Sequence, residues 1–422
     1  MIIGILPHLD NKTGGIYQYC LSMLESLLTL KNKDNSFVVF SDVYRHPLFQ
    51  KMTELNWKHP SLYPRVRVKY VNRNIIIKNV LKSTLPSPIF SQVVNLANSL
   101  YRSSTLRNIS KKIKGNIATK HRFLNYGVEM MIYLSSNALA YEINIPFVFV
   151  IHDLQHKYYP DFFTKEEIKA RDKIFNTASE QALLVVCESE YVKRDIVKFY
   201  KVTENKIKVL PSPPPSYILN KRNDPKVLAE VKLKYKLPDR YLFYPAHFWR
   251  HKNHLNLLKA IKYINKKHKE FINLVLVGSK KDYYPLIQKE IKNLDLKDQV
   301  HYLGFIPDLH IPYLYQNAEV LVMPTLFESL SLPIWEAFAL GVPVISSNIC
   351  ALPEQVKDAG LLFDPQNIEE IGNKIYKIWT DNRLKKKLRT SGYKRIKSMT
   401  LKSYGRGWLK IISEARSILQ KT

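Results

Sequence analysis

Short apolar runs rich in β-branched residues recur along the chain and set the strongest limit on how it folds. The first is Ile2-Ile-Gly-Ile-Leu6; others fall at 37–40, 130–134, 147–151, 183–187, 241–244, 274–277, 300–302, 320–323 and 342–345. Polar or helix-spaced stretches, such as 17–28, 256–266 and 284–293, separate them. Strands that show no in-and-out alternation are buried on both faces, so the pattern predicts parallel sheets covered by helices. The apolar runs, such as 145–151 and 182–187, stay far below the ~20 residues of a membrane-crossing helix.

A proline-rich break divides this pattern. Pro211-Ser-Pro-Pro-Pro-Ser216 can continue neither a helix nor a central strand, and a chain of 422 residues exceeds one ordinary core. Two α/β domains are therefore expected, over 1–212 and 217–400. A helix should follow over 401–422, where Leu409, Ile412, Ala415 and Leu419 recur at helical spacing.

The formal net charge of +29 at pH 7 implies anionic partners. From 56 to 128 there is no Asp or Glu, while fourteen residues are Lys or Arg, about half the net charge. This reads as a basic insertion in the first domain. Its segment 89–106 has apolar residues at roughly helical spacing. Two readings stay open: an amphipathic face that meets an anionic membrane or a lipid-linked acceptor, or an ordinary helix under a solvated charged surface. Nucleic acid is disfavoured, because aromatics are not interleaved with the bases as a stacking platform requires. Cys20, Cys187 and Cys350 are odd in number and far apart, which fits a reducing compartment. Met1 leads straight into a strand with no basic leader, so a cytoplasmic protein is expected, at most peripheral at the inner face of a membrane.

The segment 320–345 carries the densest chemical signal. It parses as strand, loop, helix, turn and strand, with Ser331 as N-cap, Pro333 in the first helical turn and Gly341 at the close. Glu328 then lies in the loop beyond the carboxyl end of a parallel strand, where open α/β sheets bind ligands. Backbone N–H groups of Ser329, Leu330, Ser331 and Leu332 are candidates for an anion or sugar hydroxyls. Glu336 lies two turns into the helix. A carboxylate accepts two hydroxyls at once, so one glutamate suits a sugar and the other a ribose. Taken alone, the pair reads equally well as two solvated glutamates.

This segment, including Glu336-Ala-Phe-Ala-Leu-Gly-Val-Pro-Val-Ile-Ser346, resembles the Glu–seven residues–Glu signature of the retaining family 4 glycosyltransferases. The resemblance carries the family's donor-sugar contact to Glu328 and its ribose contact to Glu336. In Tyr241-Leu-Phe-Tyr-Pro-Ala-His-Phe-Trp-Arg-His-Lys-Asn-His254, Lys252 matches the lysine of the family's diphosphate-binding pair. The usual arginine about five residues earlier is absent, and Ala246 and His247 stand there, leaving His247 or Arg250 as the second contact. Leu274-Val-Leu-Val-Gly278, Gly304-Phe-Ile-Pro-Asp308, Leu352-Pro-Glu354 and 359–365 look like the remaining landmarks, so the resemblance spans nearly all of 241–422. In the first half, Gly14-Gly15 matches the glycine-rich loop beside the donor phosphate. His152, at the end of the 147–151 strand, matches a histidine beside the transferred sugar.

The resemblance implies a GT-B fold: two Rossmann-like α/β domains facing across a cleft, with the last helix packing back on the N-terminal domain. It also implies retaining transfer of a hexose-type sugar from a nucleotide-sugar donor to a saccharide or lipid-linked saccharide, in surface polysaccharide or lipopolysaccharide synthesis. No aspartate has another two residues away, so the Asp-x-Asp metal motif of GT-A enzymes is missing. Lys252, a neighbouring base and backbone N–H groups are then expected to neutralise the diphosphate with no metal or other cofactor. His152, Asp153 and His156 have no further ligand signature, and a metal site is not expected there. A dehydrogenase is excluded by the lack of Gly-x-Gly-x-x-Gly after the first strand. A nucleotide-sugar 2-epimerase, or a non-enzymatic anion-binding or membrane-binding protein, stays open.

Overall fold

A computed structural model of the chain describes residues 1–10, 14–30, 34–41, 43, 46–60, 118–220 and 224–421. Of the basic insertion expected over 56–128, residues 61–117 lie outside the described residues, and the helical spacing at 89–106 lies there with them.

Twelve described strands run in chain order: β1 (Ile2–Leu6), β2 (Ser36–Val39), β3 (Met130–Tyr133), β4 (Phe147–Val150), β5 (Leu184–Cys187), β6 (Ile207–Val209), β7 (Tyr241–Pro245), β8 (Asn273–Val277), β9 (Val300–Tyr302), β10 (Val320–Met323), β11 (Val344–Ser347) and β12 (Gly360–Phe363). They form two six-stranded parallel sheets, ordered β2-β1-β3-β4-β5-β6 and β12-β11-β10-β7-β8-β9. Helices connect successive strands, as parallel pairing requires. The strands β3, β4, β5, β10 and β11 are buried along their whole length, which explains their unbroken apolar sequences.

The chain divides into two compact units. The first comprises Met1–Pro7, Lys33–Tyr133 and Asn137–Phe147. Within it β1 pairs with β2 and β3, with Gly4 opposite Met131, and Phe40 packs on Phe123 with ring centroids 4.4 Å apart.

The second unit comprises His8–Asn32, Leu134–Ser136 and Val148–Thr422. It holds the helix Gly15–Leu30, the strands that follow Phe147 and the whole second sheet. The last helix, Leu401–Leu419, is capped by Thr400 and packs along Gly15–Leu30. Gly405 makes this approach possible, since a Cβ there would stand 2.7 Å from the Ser26 carbonyl oxygen. Trp408, Ile412 and Ala415 are buried on this helix, Tyr404 meets Tyr19 edge-on with ring centroids 6.4 Å apart, and Lys208 pairs with Glu414 at 2.6 Å.

Several strand boundaries differ by one or two residues from those the sequence predicts, and two strands lie where none is expected. The run at 342–345 starts its strand two residues late, because the Val342 N–H closes the preceding helix on the Ala337 carbonyl at 2.8 Å and Pro343 has no N–H to give. The strands β6 and β12 are not expected from the sequence; both are short, and Lys208 interrupts the first. The run Pro211 to Pro215 carries neither strand nor helix, and Ser212 is buried. Cys20 and Cys187 are buried, and all three cysteines are free.

Candidate functional site

The loop from Pro324 to Ser331 leaves β10 at its carboxyl end and is fastened from several sides. Asn253 donates through Nδ2 to the Pro324 and Pro365 carbonyls at 2.8 and 2.9 Å. Thr325 Oγ1 donates to the His251 carbonyl, Leu326 N–H donates to the same oxygen at 2.7 Å, and Tyr159 donates to the Leu326 carbonyl at 3.0 Å. Gln355 clamps the loop's end, accepting from the Ser331 N–H at 2.9 Å and donating to its carbonyl at 2.7 Å. No sequence motif marks Gln355, because a side chain that completes a neighbouring loop has no motif of its own.

Glu328 therefore has a fixed place. Its Oε2 accepts from Lys252 Nζ at 2.6 Å, and both side chains are largely buried. Burial raises the Glu328 carboxyl pKa, opposed by the Lys252 ammonium. Lys252 is held in turn by Tyr244, whose hydroxyl donates to the Lys252 carbonyl at 2.7 Å.

Glu336 follows on the helix Leu332–Ala339, which opens with Pro333 in its first turn and ends at Gly341, where φ is 69°. It is 5% exposed, and each of its oxygens accepts from a tyrosine: Oε1 from Tyr217 at 2.7 Å and Oε2 from Tyr315 at 2.6 Å.

Around these groups lies a cavity of about 510 Å³ within the second unit. Of the expected site residues, Gly14, Gly15, His247, Lys252, Glu328, Leu330, Leu332 and Glu336 line it together. Asp308, Gln18 and Tyr217 line it as well. Gln18 Nε2 donates to Asp308 Oδ2 at 3.1 Å.

His247 stands against the glycine loop. A Cβ on Gly14, whose φ is 61°, would stand 2.8 Å from His247 Nε2, so only glycine admits the imidazole here. The Ser279 N–H donates to His247 Nδ1 at 3.0 Å. Nδ1 is thus an acceptor, and the neutral ring carries its proton on Nε2, the nitrogen that faces Gly14. Burial, reinforced by Lys281 and Lys252, lowers its pKa and keeps it neutral.

Four expected site residues stand apart from this cavity wall. Arg250 is exposed and lies over the Phe162 ring, 5.0 Å from its centroid, because the turn Arg250–Lys252 sends its first side chain outward while Lys252 points in. Ser329 does not line the cavity. Ser331 occupies the N-cap position, but its hydroxyl makes no capping bond, and its N–H is committed to Gln355. His152 lies outside the wall with both ring nitrogens engaged, Nδ1 with Glu188 Oε2 at 3.0 Å and Nε2 with the Leu134 carbonyl at 2.8 Å. Both partners are acceptors, which suits an imidazolium. Burial lowers its pKa, but the Glu188 carboxylate and the Leu134 carbonyl more than offset this, and the net shift is upward. The other histidines of the 241–254 stretch are structural. Burial beside Lys252 pushes His251 down to about 2 and His254 down to about 3, and His254 stacks on Phe248 at 4.6 Å.

The arrangement sets one ammonium and one imidazole N–H beside a glycine loop, with two carboxylates further along the same wall. Those groups suit an anion and a set of hydroxyls at once. Among the described residues no group of three His, Cys, Asp or Glu side chains gathers as a metal set, and no helix is long and apolar enough to cross a membrane.

Comparison with known proteins agrees with this geometry. Residues 229–395 match the family model Glycosyl transferases group 1, and residues 128–213 match the model Glycosyltransferase Family 4. The chain is 27% identical over 236 residues to the O-antigen chain mannosyltransferase B of Escherichia coli, a match spanning 56% of this chain and 61% of that one. It is 25% identical over 276 residues to the O-antigen chain mannosyltransferase RfbU of Salmonella typhimurium, spanning 65% of this chain and 72% of that one. A crystal structure of a glycosyltransferase from Rickettsia africae superposes with a TM-score of 0.68 at 19% identity, covering 100% of this chain and 99% of that one. Fold and cavity thus define a two-domain α/β protein of the GT-B class. With the two family models together matching more than half of its length, the chain belongs to glycosyltransferase family 4.

Proposed function

We propose that this chain transfers a hexose-type sugar, mannose foremost, from a nucleotide-sugar donor to a saccharide or lipid-linked saccharide acceptor in O-antigen or related surface-polysaccharide synthesis. The observation that carries the reading is the joint placement of Lys252, His247, Glu328 and Glu336 around one cavity beside the Gly14-Gly15 loop. The names of the relatives, O-antigen mannosyltransferases, favour mannose and that pathway.

In this reading the donor diphosphate lies between Lys252 Nζ, His247 Nε2–H and the N–H groups that open the helix Gly15–Leu30, whose dipole favours an anion. Glu328 accepts hydroxyls of the transferred sugar and Glu336 those of the ribose. Lys252 neutralises charge on the departing diphosphate, so the reaction runs without a metal. Retention of configuration follows a same-face displacement: a donor phosphate oxygen takes the proton of the acceptor hydroxyl, the acceptor oxygen bonds to the anomeric carbon, and the bond to the leaving phosphate breaks. Glu328 is a binder there, and His152, held between Glu188 and Leu134, is a positioning residue behind the site. The helix Asn382–Ile396 exposes Arg383, Lys386, Lys387, Arg389 and Lys394, which suits an anionic membrane surface bearing the acceptor.

Turnover of UDP- and GDP-sugars by the purified chain, with and without a chelator, tests this. A donor turned over equally well in chelator is expected, with a loss of roughly 100-fold or more in Lys252→Ala. Failure to bind or turn over any nucleotide sugar, or complete loss in chelator, would overturn the corresponding part.

A further inference from the structure

We infer that Tyr217 and Tyr315 are positioning residues of the donor site, whose hydroxyls keep the Glu336 carboxylate charged and direct its unused lone pairs at the vicinal hydroxyls of the donor ribose. The inference rests on the donor reading above.

A carboxylate oxygen accepts along two directions. Tyr217 takes one on Oε1 and Tyr315 one on Oε2, at 2.7 and 2.6 Å, which leaves one on each oxygen. A ribose 2′,3′-diol presents two O–H donors side by side, the complement of that remaining pair. The tyrosines come from different elements. Tyr315 is fully buried on the helix Ile311–Asn317, and Tyr217 stands on the short helix Ser216–Leu219, which follows the proline run and reaches the cavity wall. Two donors from two directions leave the carboxylate little freedom to rotate.

They also act on its charge. A carboxylate only 5% exposed tends to take up a proton, and Lys252 is already paired with Glu328. The acidic group that also faces Glu336 is Asp308, which opposes ionisation further. Burial raises the Glu336 pKa, and the two hydroxyl bonds are what lower it. Burial and the nearby Glu336 push the tyrosines' own ionisation far above the ordinary value, so both remain donors.

The test titrates UDP and GDP into the full chain by calorimetry, from about pH 8 to about pH 5.5. Tyr315→Phe and Tyr217→Phe are each expected to weaken the preferred nucleotide roughly tenfold near pH 8. The loss should deepen as the pH falls, because the carboxyl deprived of one hydroxyl protonates at higher pH. Glu336→Gln should be weakened as well, with little dependence on pH. If both phenylalanine variants match the parent in affinity and pH profile while Glu336→Gln is weakened, the inference fails and the donor reading stands. If the parent binds neither nucleotide, the donor reading fails and the inference with it. Should Tyr315→Phe not fold, Tyr217→Phe, on the cavity wall, decides alone.

Discussion

At the scale of single residues, His152 separates what a motif tells from what a neighbourhood decides. Its place after β4 was readable, since a strand's carboxyl end is where such sheets bind ligands. Its partners, Glu188 and the Leu134 carbonyl, come from other parts of the chain and shift its pKa upward, toward the protonated donor. Glu188 is steadied in turn by Ser212, which donates to its Oε1 at 2.8 Å, and Tyr19 meets the imidazole edge-on at 4.6 Å. A histidine whose folded pKa lies above its unfolded value contributes stability that is full below about pH 6.5 and lost as the pH rises through the folded value. The parent should therefore melt above Glu188→Gln by on the order of 2 °C or more in mild acid, with the gap closing as the pH rises. A gap independent of pH in thermal melts would show that the imidazole is uncharged.

At the scale of elements, the helix Leu332–Ala339 was legible almost residue by residue. Its proline, its closing glycine and the loop position of Glu328 follow from local backbone preference. Its N-terminal contacts were not legible: Ser331 leaves its hydroxyl idle while Gln355, from the helix Leu352–Val356, takes the backbone groups. The last helix shows the same division. Its periodicity is readable and the family resemblance sets it against the N-terminal domain, but its partner helix, Gly15–Leu30, is identified only by the structure. Gly405→Ala places a methyl against the Ser26 carbonyl, where the nearest atom is backbone and cannot swing away. A destabilisation of about 1–3 kcal/mol is expected, read by denaturant unfolding; an unchanged midpoint would mean the two helices separate at little cost.

At the scale of the molecule, charge is the property that the cavity does not absorb. From Asn382 to Ser413 there is no acidic residue, the helix Asn382–Ile396 exposes bases, and the sequence of 56–128 carries fourteen further Lys and Arg with no acid. Vesicles containing phosphatidylglycerol should bind the chain near 0.1 M salt and release it toward 1 M, as the Debye length falls from about 10 to about 3 Å. Replacing Lys386, Lys387 and Lys394 by glutamine should weaken that binding by roughly 100-fold. Unchanged binding would locate the lipid-facing charge elsewhere, with 56–128 the leading candidate.

The order of ten of the twelve described strands, the loop place of Glu328, the basic character and the family were determined by the sequence itself, because strand burial, helix capping and charge are written in neighbouring residues. The tertiary structure alone decided that His247 faces the glycine loop while Arg250 turns outward, that both nitrogens of His152 are engaged, and that two tyrosines 98 positions apart in the chain meet on Glu336. Each of those depends on side chains distant in sequence sharing one buried polar group, and a buried group's charge and direction are set by whatever surrounds it.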